Sequence, residues 1–274
     1  MKVLYKNAPA IIKIPSTKEL RQKIQIEAEW ARFINSQSLS EKLNIRCPNV
    51  IALNEKYLLS EWIEAPLLDD NSSDDVSSCQ VDGIVKILKL ILDLPADGFE
   101  PQQKISWSPE KIIDSIYDHA QHVEPSLCTD IELKRAIAII DKYRGDLPFG
   151  LSHGDMGPWQ IFKNKEELIL FDGEHASRNL PRLKDTANAF MRLFTKRRNA
   201  NGLGQMLKSV QDHLSIEDDQ FTAELLPMLI KWSLIGLVDA QKDVQFGKIV
   251  THQDKARQLF DACLAEDISA LKNI

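Results

Sequence analysis

Residues 151–176 read LSHGDMGPWQIFKNKEELILFDGEHA, and the reading of the whole chain turns on them. Ile161-Phe162 and the run from Glu167 to Phe171 are apolar, with a short polar stretch between them, which is the pattern of a β-hairpin. Asp155 follows Leu151-Ser152 in a short turn stiffened by Gly154 before it and Gly157-Pro158 after it, so its carboxylate projects from a firmly shaped loop. Gln160 precedes the first strand and Asp172 ends the second. Closing the hairpin therefore brings an amide oxygen beside a carboxylate, two hard donors suited to a small divalent cation. Phosphoryl transfer requires little else: a carboxylate to orient and deprotonate an attacking hydroxyl, and oxygen ligands for magnesium.

Working outward, KVLYK and AIIKIP are short apolar runs joined at Asn7-Ala8-Pro9, and they read as two strands with Lys13 inside the second. Ser16-Thr17-Lys18-Glu19 has the form of a capping box, and Leu20, Ile24, Ala28 and Ala31 after it keep helical spacing for about six turns. NVIAL and KYLLSEWI around Asn54-Glu55 form another hairpin. DDNSSDDVSS is polar and without period, a linker or exposed loop. Helices are expected beyond it: DGIVKILKLILDL, 109–122, a Thr129-x-x-Glu132 capping box opening a helix through Tyr143, 184–198, 203–213, 222–244 and 252–271, with the quoted hairpin as the one evident strand pair among them. The predicted architecture is α+β: a β-rich amino-terminal lobe over residues 1–64 and a larger helical lobe over 65–274 that carries the hairpin 151–175. A ligand site between them is the natural expectation.

Composition narrows the classes. Across 274 residues, 43% hydrophobic and 27% charged residues are ordinary globular usage. A formal net charge of -6 offers no global field for a polyanion, so nucleic acid is not an expected partner. Cys47, Cys79, Cys128 and Cys263 are scattered without metal-type or disulfide-framework spacing, which fits a reducing cytoplasm. The start of the chain has no signal-peptide pattern, and LLPMLIKWSLIGLVDA, interrupted by Lys231, is read as a buried helix rather than a membrane span.

HGDMGPWQIF followed by LILFDGEHA resembles the HGDxxxxN catalytic loop and IDxE metal motif of the aminoglycoside phosphotransferase and choline kinase-like enzymes, particularly members with HGDxxPWN. The resemblance covers most of residues 2–194. It implies a two-lobed, protein-kinase-like fold and magnesium-dependent transfer of the γ-phosphate of ATP or GTP to a hydroxyl of a small molecule. It further implies Asp155 as the base, Gln160 and Asp172 as magnesium ligands, Glu174 as an auxiliary acid, and His153 as a brace of the loop. KDTANAF, with Asp185, is similar to a segment that anchors the family's fold. Lys13 matches the strand lysine that grips phosphates, Glu27 the helix glutamate that pairs with it, and Glu61, Trp62 and Ile63 the hinge whose main chain meets a purine. Glu29 lies two residues on from Glu27, roughly 200° round a helix, so only one of the two can face Lys13.

Two departures stand against this pattern. The family has a strand and a phosphate-covering loop ahead of the strand that here begins at Met1 or Lys2, so the roof over the nucleotide is expected to be missing or rebuilt. Gln160 replaces the motif's Asn, shifting the carbonyl by about one carbon–carbon bond where magnesium demands near-ideal octahedral geometry. Both favour an alternative reading, a catalytically weak or inactive ligand-binding module on the same scaffold. Other features are read plainly: Trp159 and Trp232 as packing residues, His175 as a surface histidine, His119 and His122 as a solvated helix face, and Lys196-Arg197-Arg198 as complements of a helix dipole.

Overall fold

The computed structural model describes residues 1–69, 75–101, 108–196, 200, 202–245 and 251–273. The linker expected at 69–78 and the basic cluster at 196–198 thus fall largely outside the described residues, at 70–74 and at Arg197-Arg198. Internal packing divides the chain into two compact units: Met1–Asp70, Lys86–Ile105 and Gly150–Leu180 form one, and Asn71–Val85, Ser106–Phe149 and Pro181–Ile274 form the other. The hairpin of the quoted stretch falls in the same unit as the amino-terminal sheet.

In the first unit, β1 (Lys2–Tyr5), β2 (Ala8–Lys13), β4 (Val50–Leu53) and β5 (Leu58–Glu61) form an antiparallel sheet in the order β1-β2-β5-β4. Lys6 and Asn7 both have positive φ, 49° and 67°, as a two-residue hairpin turn requires, and they set Tyr5 opposite Ala8 and Lys2 opposite Ile11. Asn54 closes the other hairpin by accepting the Lys56 and Tyr57 N–H groups on its side-chain oxygen. Helix α1 (Lys18–Asn35) begins one residue later than the sequence pattern suggests. Thr17, not Ser16, is the cap, its Oγ1 accepting the Leu20 N–H at 3.1 Å. Ile24 and Ala28 of α1 bury against Leu58, with Val50 and Leu53 alongside. This packing fixes which side of α1 faces the sheet, and Glu27 is on it.

A short helix, α2 (Ser38–Leu43), and a two-residue strand, β3 (Ile45–Arg46), follow α1. β3 runs parallel to β8 (Glu167–Leu170), which pairs antiparallel with β7 (Ile161–Asn164). The hairpin expected from the sequence is therefore the larger part of a three-stranded sheet. β6 (Phe149–Ser152) and β9 (Ser177–Pro181) form a further pair, which corrects the expectation of a single strand pair in this region. Neither is long or regularly alternating enough to announce itself, at four and five residues.

The second unit is helical. Its helices are α4 (Pro109–Ala120), α5 (Asp130–Tyr143), α6 (Lys184–Lys196), α7 (Leu203–Leu214), α8 (Asp218–Gln245), α9 (Thr251–Leu264) and α10 (Ile268–Leu271), while α3 (Ser78–Asp93) has its first turns here and the rest in the first unit. Thr129 and Glu132 form the predicted capping box. The single helix expected over 252–271 is instead two, because Glu266 adopts φ 58° and breaks the ladder. Helix α8 is long and apolar enough to cross a membrane by length and composition, yet 89% of its most hydrophobic window is buried inside the protein. Leu225, Leu226, Leu229, Ile230, Leu234 and Leu237 are all inaccessible, as expected for a core helix.

Candidate functional site

Lys13 ends β2, and its ammonium is held from two directions. Nζ donates to Glu27 Oε1 and Oε2 at 2.8 and 2.7 Å and to Asp172 Oδ1 at 2.8 Å. Glu29, the alternative partner, accepts from Gln25 instead. Burial alone lowers the Lys13 pKa, but the two carboxylates outweigh it and hold the group above its ordinary value. Glu27 is buried deeply enough that its pKa is raised despite Lys13. Glu174 completes the group: one oxygen from each of Glu27, Asp172 and Glu174 lies within 4.8 Å of the others. Hydrogen bonding to His175 at 3.3 Å, with Lys23 at 3.5 Å, depresses the Glu174 carboxyl to about 2.

The backbone that presents Asp172 is tightly determined. Gln160 and Phe171 close the hairpin through a main-chain hydrogen bond of 3.0 Å, and His153 Nε2 donates to Phe171 O at 3.0 Å, so His153 does brace the segment. Asp172 itself adopts φ 66°. Gly173 must be a glycine, because a Cβ there would lie 2.3 Å from Cδ1 of Trp30. Trp30 is fixed in turn by edge-on contacts with Phe99 and His153. Gly154 has φ 90°, and a Cβ on it would meet His175 O at 2.1 Å. The turn before Asp155 and the turn after Asp172 thus touch directly.

A cavity of about 540 Å³ opens beside Lys13. Its wall includes Lys13 and Glu27, the three hinge-type residues Glu61, Trp62 and Ile63, and the side chains of Lys2, Ile11, Phe162 and Phe171. Phe162 and Phe171 stack with ring centroids 4.8 Å apart, offering an apolar floor. The Glu61 carboxylate is engaged within the protein: Arg46 binds both its oxygens at 2.8 and 3.0 Å, and Asn49 donates to it twice at 3.0 Å. Arg46 also reaches Glu167 on β8 at 3.0 Å, tying the end of β5 to the hairpin.

Five of the nine residues singled out from the sequence, Lys13, Glu27, Glu61, Trp62 and Ile63, share this wall, and Asp172 and Glu174 adjoin it through Lys13 and Glu27. Asp155 is half-buried and is not part of the wall. Gln160 is 4% exposed, and its Oε1 accepts the Gly157 N–H at 2.8 Å. Trp159 folds back over Gly157, where a Cβ would lie 2.8 Å from its ring. His119 contacts the Ser115 carbonyl of its own helix, and among the described residues neither His119 nor His122 joins a group of three metal-type ligands. Lys2, Phe162 and Phe171 were not singled out from sequence. The two-residue turn at Lys6-Asn7 fixes the register that puts Lys2 on the Lys13 face, and this was the signal available.

No family model matches the sequence, and no curated protein matches it. In three dimensions the chain has the kinase-like α+β fold of small-molecule phosphotransferases. The aminoglycoside phosphotransferase APH(4)-Ia, in a thermostable mutant form, superposes with a TM-score of 0.64 at 14% identity, over 96% of this chain and 89% of that one. Choline kinase LicA from Streptococcus pneumoniae gives 0.60 at 16% identity over 96% and 89%, and macrolide 2′-phosphotransferase MphH from Brachybacterium faecium gives 0.58 at 12% over 94% and 85%. Complexes of the APH(4)-Ia enzyme hold ADP or AMP-PNP together with hygromycin B.

Proposed function

We propose that this chain transfers the γ-phosphate of ATP or GTP to a hydroxyl of a small molecule, with Asp155 taking the hydroxyl proton. The observation that carries the reading is the Lys13 ammonium, held by Glu27 and Asp172 in the wall of a cavity that also exposes the Glu61–Ile63 segment. A lysine positioned in this way presents a fixed positive charge to phosphate oxygens. The Phe162–Phe171 pair and Ile11 supply apolar faces for a purine, and the main chain at 61–63 supplies its polar edge.

The carboxylate donors also fit a magnesium ion: Asp172 and Glu174 offer oxygens that lie together with one of Glu27, and Gln160 would have to add its carbonyl while that oxygen accepts the Gly157 N–H. When bound, such an ion neutralises charge on the phosphate oxygens. Asp155 sits in a turn held by the left-handed Gly154 and by the Gln160–Gly157 hydrogen bond, and a backbone fixed in this way would limit the directions its carboxylate can take.

A second reading, a nucleotide-binding module without turnover, draws on the Gln160 oxygen engaged by Gly157 and on Asp155 standing outside the cavity wall. The test is sequential. Thermal melting with magnesium and ATP or GTP should show stabilisation, about 2.7 kcal/mol at a hundredfold excess over the dissociation constant. Nucleotide diphosphate release is then measured across hydroxylated acceptors with wild type and Asp155→Asn. Stabilisation with turnover that Asp155→Asn abolishes supports the kinase; stabilisation without turnover selects the binding module. No stabilisation at millimolar nucleotide refutes both.

A further inference from the structure

The cavity wall carries a cation that the reading above leaves unused. Lys2 lies on β1 opposite Ile11, and Lys13 is two residues further along β2, so both lysines project from one face of the sheet. Diagonal neighbours of this kind are about 7–8 Å apart. Their surroundings differ. Lys13 is compensated by two carboxylates, whereas among the described residues Lys2 makes no ion pair, and its ammonium rests 4.4 Å from the Trp62 ring centroid. A cation over an indole at an exposed position is a weak tether, weaker than a charge-assisted hydrogen bond to a phosphate oxygen. The remaining charged side chains of the wall, Glu27, Glu61 and Glu64, are acidic. A nucleotide brings several negative charges into this space, and Lys2 is the cation within the wall that no carboxylate yet answers.

We propose that Lys2 is a phosphate-binding residue of the nucleotide site: on ligand entry its ammonium leaves the Trp62 ring for a phosphate oxygen, while its methylene stem covers the cavity beside Ile11. The inference rests on the phosphotransferase reading, and the experiment separates the two.

Binding of a nucleoside, its diphosphate and its triphosphate is measured with magnesium by competition against a fluorescent nucleotide, for wild type, Lys2→Gln and Lys2→Arg. Lys2→Gln is expected to weaken the phosphorylated ligands about tenfold, to leave the nucleoside unchanged and to flatten the salt dependence of triphosphate binding, while Lys2→Arg retains wild-type behaviour. Triphosphate binding by Lys2→Gln equal to wild type overturns the proposal and leaves the function standing. Equal weakening of nucleoside and triphosphate also overturns it, because the side chain then only walls the cavity. If the wild type binds no nucleotide at all, the function and the inference fall together.

Discussion

Replacing Lys13 with Met removes the cation between two carboxylates and retains most of the side-chain volume, which makes it a direct test of the ion network. Glu27 is 14% exposed, Lys13 33% and Asp172 36%, so the contacts lie between the fully buried and the surface cases. Breaking a buried pair costs about 3–5 kcal/mol, and losing a surface pair under about 1, so about 2 kcal/mol is expected at pH 7. That corresponds to a fall of roughly 4–8 °C in melting temperature. The loss should depend on pH in a definite direction. Burial already raises the Glu27 carboxyl above its unfolded value, and removing Lys13 deletes the interactions that pull it down. Its ionised form then opposes folding, and this penalty disappears as pH falls through the folded-state pKa. Urea denaturation of wild type and Lys13→Met between pH 7 and pH 5 should show the difference shrinking to under about 1 kcal/mol, and Glu27→Gln in the Lys13→Met background should restore most of it at pH 7. A difference that stays constant over this range, or a double variant no more stable than the single one, would refute the view that the cost is an uncompensated buried carboxylate.

Gly154→Ala should cost about 3 kcal/mol and lower the melting temperature by roughly 6–12 °C, because φ 90° is unfavourable for alanine and the clash is with a carbonyl oxygen rather than a movable side chain. Asp172→Gly should be close to neutral in stability, since relief of a left-handed residue, about 1 kcal/mol, offsets loss of the partly exposed Lys13 contact. Turnover should nonetheless fall by at least about a hundredfold, and a large stability loss with activity retained would contradict the assignment. In the second unit, hydrogen bonding to Arg257 holds Glu132 at about 2, so the stability it contributes is complete above the unfolded carboxyl pKa and is lost as pH falls toward 2. Acid denaturation of Arg257→Gln should therefore be flatter than wild type across that window.

The parts of this fold that were legible in sequence are those where a local rule and the packing agree. The Thr129–Glu132 cap and the apolar run of α8 each carry their own signal and hold in the structure, whereas the turn expected at Asn7-Ala8-Pro9 is tighter, at Lys6-Asn7, with Ala8 and Pro9 already paired in β2. Helical geometry allowed only one of Glu27 and Glu29 to face β2, the family resemblance pointed to Glu27, and the structure pairs Glu27 with Lys13. What could not be read was set by contacts distant in sequence. β3 is two residues long and is a strand only because β8 lies beside it. Arg46 gives no hint of its role until Glu61 and Glu167, 15 and 121 residues away, meet it. Gln160 was placed at the correct end of the hairpin, but the direction of its amide depends on a turn that also supplies a competing N–H at Gly157.

Asp172 and Gly173 show why this network is more than a set of surface ion pairs. A non-glycine residue at φ 66° is held against its own preference and persists only where neighbours over-determine it. Three such neighbours are visible: His153 grips the preceding carbonyl, the Trp30 ring occupies the space where a side chain on residue 173 would go, and Lys13 holds the Asp172 carboxylate. Trp30 and Glu27 belong to the same helix, three residues apart, so the element that pairs with Lys13 also determines the backbone that presents Asp172. Glycine at 172 would satisfy the backbone at no steric cost but would lose the Lys13 contact, so the two effects nearly balance and stability alone favours neither residue. What the carboxylate does in this structure is read from its contacts: it shares the Lys13 ammonium with Glu27 and lies beside an oxygen of Glu174.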